Sequence, residues 1–249
     1  MCTLTYLPLE NEQFIFTTNR DESPERAHAS FPVNTHLENK NIIYPQDPKA
    51  GGTWFASTDN GITACLLNGA FKAHEHKPPY PISRGKVMLE AMECIKPEEF
   101  FKNYHFKGIE PFTMVVLFHD PELKIVDFKW DGENTHTQEL AANKPHIWAS
   151  AQLYTEEQIA ARKALFKKWL QENKEFTQKE IFRFHETAGK EDPENSWVMD
   201  RGVVKTVSIS SVHSKVGLLS MLHKDLINGK EQELILAQNV NQDFSNHIL

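Results

Sequence analysis

The chain has 249 residues, with a hydrophobic fraction of 40% and an aromatic fraction of 10%, enough for a sizeable core. Its formal net charge of −7 argues against a nucleic-acid surface, which is normally basic. Apolar runs such as residues 114–118 are too short to span a bilayer, so no transmembrane segment is expected.

The N-terminus has no basic region, and Glu10 and Glu12 interrupt its apolar stretch, so no secretory signal is expected. Cys2, Cys65 and Cys94 show no CxxC spacing and form no disulfide framework, which fits a reducing cytoplasm. Neither repeats nor low-complexity segments divide the chain, and residues 1–249 read as one domain.

Residues 3–9 and 13–18 are strand candidates rich in Thr, Tyr, Ile and Phe. Only Glu10-Asn11-Glu12 separates them, which predicts a hairpin. Opposed residues in a hairpin share a constant index sum, here 21 to 23 for short loops, so Cys2 faces residue 19, 20 or 21. The hairpin thereby delivers a thiol to the cluster Asn19-Arg20-Asp21-Glu22.

Residues 23–50, with four prolines, read as a long irregular loop around that cluster. Gly51-Gly52-Thr53-Trp54 leads into a strand to Ser57; Asp59-Asn60-Gly61 turns the chain into a strand over 62–67 that ends at Asn68-Gly69. Residues 73–81 form a His- and Pro-rich loop. Ser83 caps a helix to about Ile95 with Val87, Met88, Ala91, Met92 and Ile95 on its apolar face. A second helix starts at Pro97, and residues 113–118 and 124–130 form a hairpin around Asp120-Pro121-Glu122. Residues 147–150 are a short strand. Capping-box patterns at Thr155 and Thr177 open two helices, the first carrying a core stripe of Phe166, Trp169 and Leu170. Strands over 203–212, 216–224 and 233–237 close the chain. Two helical layers over a mostly antiparallel strand core follow from this order.

Removal of Met1 would leave Cys2 with a thiol and a free α-amine, whose reference pKa of roughly 8 suits a base near neutrality. A thiol beside a base attacks acyl carbon, and Arg20 would favour the thiolate. Asp21 serves the α-amine or a substrate, and the Asn68 amide suits an oxyanion donor. The bland alternatives are a buried strand cysteine, a surface ion pair and a turn asparagine. Arg20 and Asp21, adjacent on a strand, point to opposite faces. Gly51–Trp54 lacks the spacing of a phosphate loop, which excludes nucleotide binding. His28, His36, His74 and His76 lack a metal-ligand spacing, so neither metal nor cofactor is expected. Cys65 and Cys94 fall on apolar faces and read as core residues.

Taken together, Met1-Cys2, Asn19-Arg20-Asp21-Glu22, Gly51-Gly52-Thr53-Trp54 and the strand ending in Asn68 resemble the NRDE family, also called transport and Golgi organisation protein 2-like. Lys205-Thr206-Val207-Ser208 is similar to a later family strand. The resemblance implies an α+β fold, a four-layer αββα sandwich of N-terminal nucleophile (Ntn) hydrolase type with mostly antiparallel sheets. It implies a cytoplasmic cysteine amidase acting on a non-peptide C–N bond of a small molecule. Cys2, Arg20, Asp21 and Asn68 match the catalytic positions of cysteine Ntn amidases; Asn19, Glu22, Gly52, Thr53, Trp54 and Lys205 are the implied substrate contacts. In those amidases two residues separate the Arg from the Asp, a second Asn stands near Ser150-Ala151, and an Arg stands at Lys205. A haem- or lipid-binding trafficking protein on the same fold is the competing reading, and a purely structural cluster the third.

Overall fold

β1 (Thr3–Pro8) and β2 (Phe14–Glu22) form the N-terminal hairpin, with Thr3 opposite Asn19 and hence an index sum of 22. The turn takes positive φ at Asn11 (54°) and Glu12 (56°), and the Gln13 N–H donates to the Glu10 carbonyl at 3.2 Å. That left-handed pair matches the twist of the strands, which is why so short a loop serves without glycine. The structure, a computed structural model, describes residues 3–37, 40–94, 97–119 and 122–238. Cys2 lies outside the described residues.

Residues 23–50 are not the irregular loop expected from the sequence. They contain β3 (Val33–Leu37) and β4 (Lys40–Tyr44), an antiparallel pair. β3 is the outer strand of its sheet and mostly exposed, so it lacks the apolar alternation that marks a strand. β4 contributes the buried Ile42, Ile43 and Tyr44.

β5 (Phe55–Thr58) and β6 (Ile62–Asn68) follow, then α1 (Arg84–Glu93) and α2 (Pro97–Asn103). Ser83 caps α1 through the Lys86 amide, and Val87, Met88, Ala91 and Met92 are buried as expected. Its far end is held by Lys40, whose buried ammonium donates to the Met92 and Cys94 carbonyls at 2.9 and 3.0 Å. Ile95 lies outside the described residues. Cys94, read as core, ends α1 half-exposed, because the apolar face turns away there.

β7 (Phe112–Phe118) and β8 (Lys124–Trp130) form the expected hairpin, with residues 120–121 of its turn outside the described residues. β9 (Thr135–Leu140) was not legible, being an edge strand of polar, mostly exposed residues. β10 (His146–Ala149), α3 (Glu156–Glu172), α4 (Gln178–Thr187), β11 (Lys205–Lys215), β12 (Leu218–Asp225) and β13 (Glu231–Ala237) complete the chain. Both capping boxes form, at Thr155 and Thr177.

The strands make two antiparallel sheets, ordered β10-β1-β2-β11-β12-β13 and β3-β4-β5-β6-β7-β8-β9. α1 packs on β6 and α2 on α1; α3 packs on β10, and α4 on β2 and β11. The result is a four-layer αββα sandwich. Alternation assigns the faces: Leu4, Tyr6, Phe14 and Phe16 enter the main core, while Leu7 and Ile15 pack with Phe166, Ile181 and Trp197 of the α3/α4 layer. Even positions of the hairpin therefore face the other sheet, and odd positions face the helices.

Candidate active site at the end of the N-terminal hairpin

β2 lies between β1 and β11, so its charged end is enclosed: Asn19, Arg20 and Asp21 are 0%, 4% and 2% exposed. Parity sends them apart. Arg20, at an even position, faces the second sheet. Its guanidinium lies 4.5 Å above the Trp54 ring, and Nη2 donates to Asp47 Oδ2 at 2.6 Å and to Glu22 Oε2 at 3.5 Å. Arg26 Nε donates to the same Asp47 oxygen at 2.7 Å, while Asp47 Oδ1 accepts the amides of Lys49 and Ala50. Burial would raise the Asp47 carboxyl, but the Arg26 hydrogen bond, the Ala50 amide and two guanidinium charges hold it below the usual carboxylate range. Burial pulls Arg20 below its ordinary value, with Glu22 and Asp47 opposing that pull.

Asp21 faces the helical layer. Its Oδ2 accepts the Tyr154 hydroxyl at 2.6 Å and its Oδ1 the Thr206 hydroxyl at 2.5 Å. Thr206 opposes Asp21 and Ser208 opposes Arg20, so Val207 is a β-bulge set against this pair. Arg20 and Asp21 thus diverge as the alternation requires.

Asn19 also faces the helices, away from the cleft. Its amide donates to the carbonyls of Trp197 (2.8 Å) and His185 (3.3 Å). Its Oδ1 accepts from His185 Nδ1 at 2.5 Å, which leaves His185 Nε2 to accept the Thr5 hydroxyl at 2.8 Å. Full burial, reinforced by the Arg162 charge, pushes this imidazole down to about 3, so it is neutral. Asn19 is a buried cross-link between β2 and α4.

Across the sandwich, Asn68 ends β6. The Ser150 hydroxyl and the Gln152 backbone amide donate to its carbonyl at 2.8 and 3.4 Å; Asn68 lines the cleft, and its side-chain amide bonds no described residue. Gly69 follows with φ +80°, and an added Cβ would meet the Gln152 nitrogen at 2.9 Å, so only glycine turns the chain here. Gly52 is equally constrained, since a Cβ would lie 2.4 Å from the Gly85 carbonyl carbon. It lets the loop before β5 lie against the first turn of α1, where the Thr53 N–H donates to the Gly85 carbonyl at 3.3 Å. The Thr53 hydroxyl is used internally, donating to the Pro45 carbonyl at 2.7 Å. Lys205 stands apart from the cleft and half-exposed, paired with Asp200 at 2.8 Å.

The space between these walls is a cleft of about 540 Å³, lined by Arg20, Trp54 and Asn68 and also by Glu22, Arg26 and Tyr80. Arg84 and Glu110 form one wall, 3.1 Å apart. His74 Nε2 and His76 Nδ1 both approach Glu110 Oε1, at 3.1 and 3.0 Å, so these histidines serve a carboxylate. Among the described residues no group of ligands could hold a metal ion. Burial pushes the Cys65 thiol up to about 12 and also raises Cys94, which makes neither a ready nucleophile.

A family model described as Transport and Golgi organisation 2 matches residues 1–213. The chain belongs to this family. Among curated proteins no sequence match was found. Solved structures show the same fold. An N-acylethanolamine-hydrolyzing acid amidase ortholog from Caenorhabditis elegans is 12% identical, with a TM-score of 0.56, covering 84% of this chain and 92% of that one. A mutant of the conjugated bile acid hydrolase from Clostridium perfringens is 9% identical, with a TM-score of 0.51, covering 94% of this chain and 92% of that one. The sandwich is that of the Ntn hydrolases.

Within this family member, sequence reasoning missed Asp47, Arg84, Glu110, Tyr154, Thr206 and Gln152. Arg84 carried a signal: a cation at the first position of a helix opposes the macrodipole and calls for a local anion, here Glu110. Gln152 stands near the position where the second asparagine is expected. Its amide donates to the His74 carbonyl and accepts the His74 N–H, so it pins the His-rich loop over the cleft. Tyr154 and Thr206 carried no local signal, because long-range pairing alone brings them to Asp21.

Proposed function

We propose that this protein is a cytoplasmic cysteine amidohydrolase that cleaves a non-peptide C–N amide bond of a small molecule through a thioester on Cys2. The observation that carries this reading is the meeting of Arg20 and Asn68, whose side-chain amide bonds no described residue, one from each sheet, in one cleft at the open end of the N-terminal hairpin. Thr3, the residue that follows Cys2 in the sequence, is paired with Asn19. The two similar structures named above are of a hydrolysing amidase and a bile acid hydrolase, which supports amide hydrolysis on this sandwich.

In this reading Met1 is removed. The Cys2 α-amine takes the thiol proton as sulfur attacks the acyl carbon, and Asn68 donates to the oxyanion. The C–N bond breaks as the α-ammonium protonates the leaving amine. Water, deprotonated by the same amine, then attacks the thioester; the acid departs and the thiol is restored. Arg20, buried and tied to Asp47, favours thiolate in the cleft, and Asp21 orients the α-amine.

Intact mass of the mature protein and labelling by an acyl probe test this. The expected results are loss of Met1, one acyl group on Cys2, and none in Cys2→Ala. Asn68→Ala should lower turnover across an amide panel by about 10²- to 10³-fold, the usual effect of losing an oxyanion donor. Retained Met1, or equal labelling of Cys2→Ala, overturns the proposal. No product from the panel, with absorbance developing in the haem region on titration, replaces it with the binding-protein reading.

A further inference from the structure

Arg162, on α3, has no exposed surface. Its Nη2 donates to the Ser196 carbonyl at 2.9 Å, but its buried Nε and Nη1 have no acceptor among the described residues. A guanidinium so placed is strongly disfavoured unless something nearby answers its charge. What faces it is the ring of Tyr154, 4.0 Å from the guanidinium carbon, and then the ring of Trp197 at 5.9 Å. The hydroxyl of Tyr154 donates to Asp21 at 2.6 Å. A buried cation and a buried anion are therefore joined through one aromatic residue, which offers its π face to the first and its O–H to the second.

A cation over the ring draws electron density from the phenol and makes its O–H a better donor. The second cation near that ring, Arg201 at 5.9 Å, is exposed and counts for less. The other carboxylate oxygen is held by Thr206, so Asp21 is fixed from two elements distant in sequence. Resting on the reading that Asp21 orients the α-amine of Cys2, we infer that Arg162 and Tyr154 are positioning residues for that aspartate. Arg162 polarises Tyr154, Tyr154 spreads and aims the Asp21 charge, and the tuned carboxylate sets the basicity of the amine. α3 then belongs to the active site, although it does not line the cleft.

The test is the rate of Cys2 acetylation by p-nitrophenyl acetate across the neutral pH range, read by mass on protein lacking Met1. Tyr154→Phe keeps the ring over which Arg162 stacks and removes the hydrogen bond to Asp21. Its rate should fall about tenfold, the loss expected for a hydrogen bond to a charged group. Its pH profile should also move to higher pH, because a carboxylate with a more concentrated charge holds the proton on the amine more tightly. Arg162→Lys should fall between wild type and Tyr154→Phe. Arg162→Met, which risks misfolding, is not needed for the decision. A Tyr154→Phe profile that superimposes on wild type, or a rate that falls only with the folded fraction, overturns the inference while leaving the amidase reading intact. A wild-type protein that is never labelled at Cys2 overturns both.

Discussion

Asp47→Asn isolates the charge that holds Arg20. The substitution keeps an oxygen to accept the Lys49 and Ala50 amides, so the local turn survives. It replaces the oxygen that receives Arg20 at 2.6 Å and Arg26 at 2.7 Å with an NH₂ group. Arg20 is 4% exposed and would retain, as its carboxylate partner among the described residues, only Glu22, at 3.5 Å and itself 30% exposed. Removing one partner of a buried ion pair costs about 3–5 kcal/mol. Glu22 and the partial exposure of Arg26, 24%, place the expected loss near the lower limit, about 3 kcal/mol. For a chain of this size that lowers Tm by roughly 6–12 °C. The carboxyl has a depressed folded pKa, so its contribution is present above the ordinary carboxylate value and lost as pH falls through the folded one. Urea unfolding should give the full difference at neutral pH and a shrinking one below about pH 4. A neutral-pH difference under about 1 kcal/mol, or one that persists undiminished in acid, would refute the assignment of Asp47 as counterion to Arg20.

Gly52→Ala places a Cβ 2.4 Å from the backbone of Gly85 and forces α1 from the loop; a loss of about 1–3 kcal/mol by thermal melting is expected. Gly85→Ala, which meets Thr53 at 2.7 Å, should behave alike, and unchanged melting in both would contradict that close approach. Glu12→Gly relieves a left-handed residue in the hairpin turn and should stabilise by about 0.5–1 kcal/mol; a lower urea midpoint would contradict the turn. His185, neutral in the fold and pushed down to about 3, loses stability as pH falls below its unfolded value, up to about 1.4 kcal/mol per pH unit. Between about pH 6 and pH 4 the slope should be smaller in His185→Gln than in wild type, and equal slopes would mean that another group is responsible.

The hairpin was legible in the sequence because its register is a matter of counting, and the observed sum of 22 lies in the expected range. The helices were legible because Ser83, Thr155 and Thr177 are capping residues ahead of amphipathic stretches. β3 and β9 were not: at the edges of a sheet, polar and mostly exposed strands lose the period-two signal. Around the cleft, Arg20 and Asn68 stood out as polar ends of apolar strands. The groups that hold Arg20 and Asp21, namely Asp47 for the first and Tyr154 and Thr206 for the second, act across 27, 133 and 185 residues of chain, separations that no local pattern encodes.

The alternation along the first two strands has a consequence for insertions and deletions. β2 is held by β11 along its whole length, Phe14–Glu22, whereas β10 holds β1 only over Thr3–Tyr6, so a residue added to the Asn11–Glu12 turn shifts β1 rather than β2. A one-position shift exchanges the two sides of β1, carrying Leu4 and Tyr6 toward the helices and Leu7 toward the other sheet. The first residues of the chain would be readdressed with them. At about 3.3 Å per residue, the turn lies some 25–30 Å from Arg20. A surface loop that touches nothing in the cleft thus works as the site's spelling frame, where substitutions are tolerated and a change of length is not.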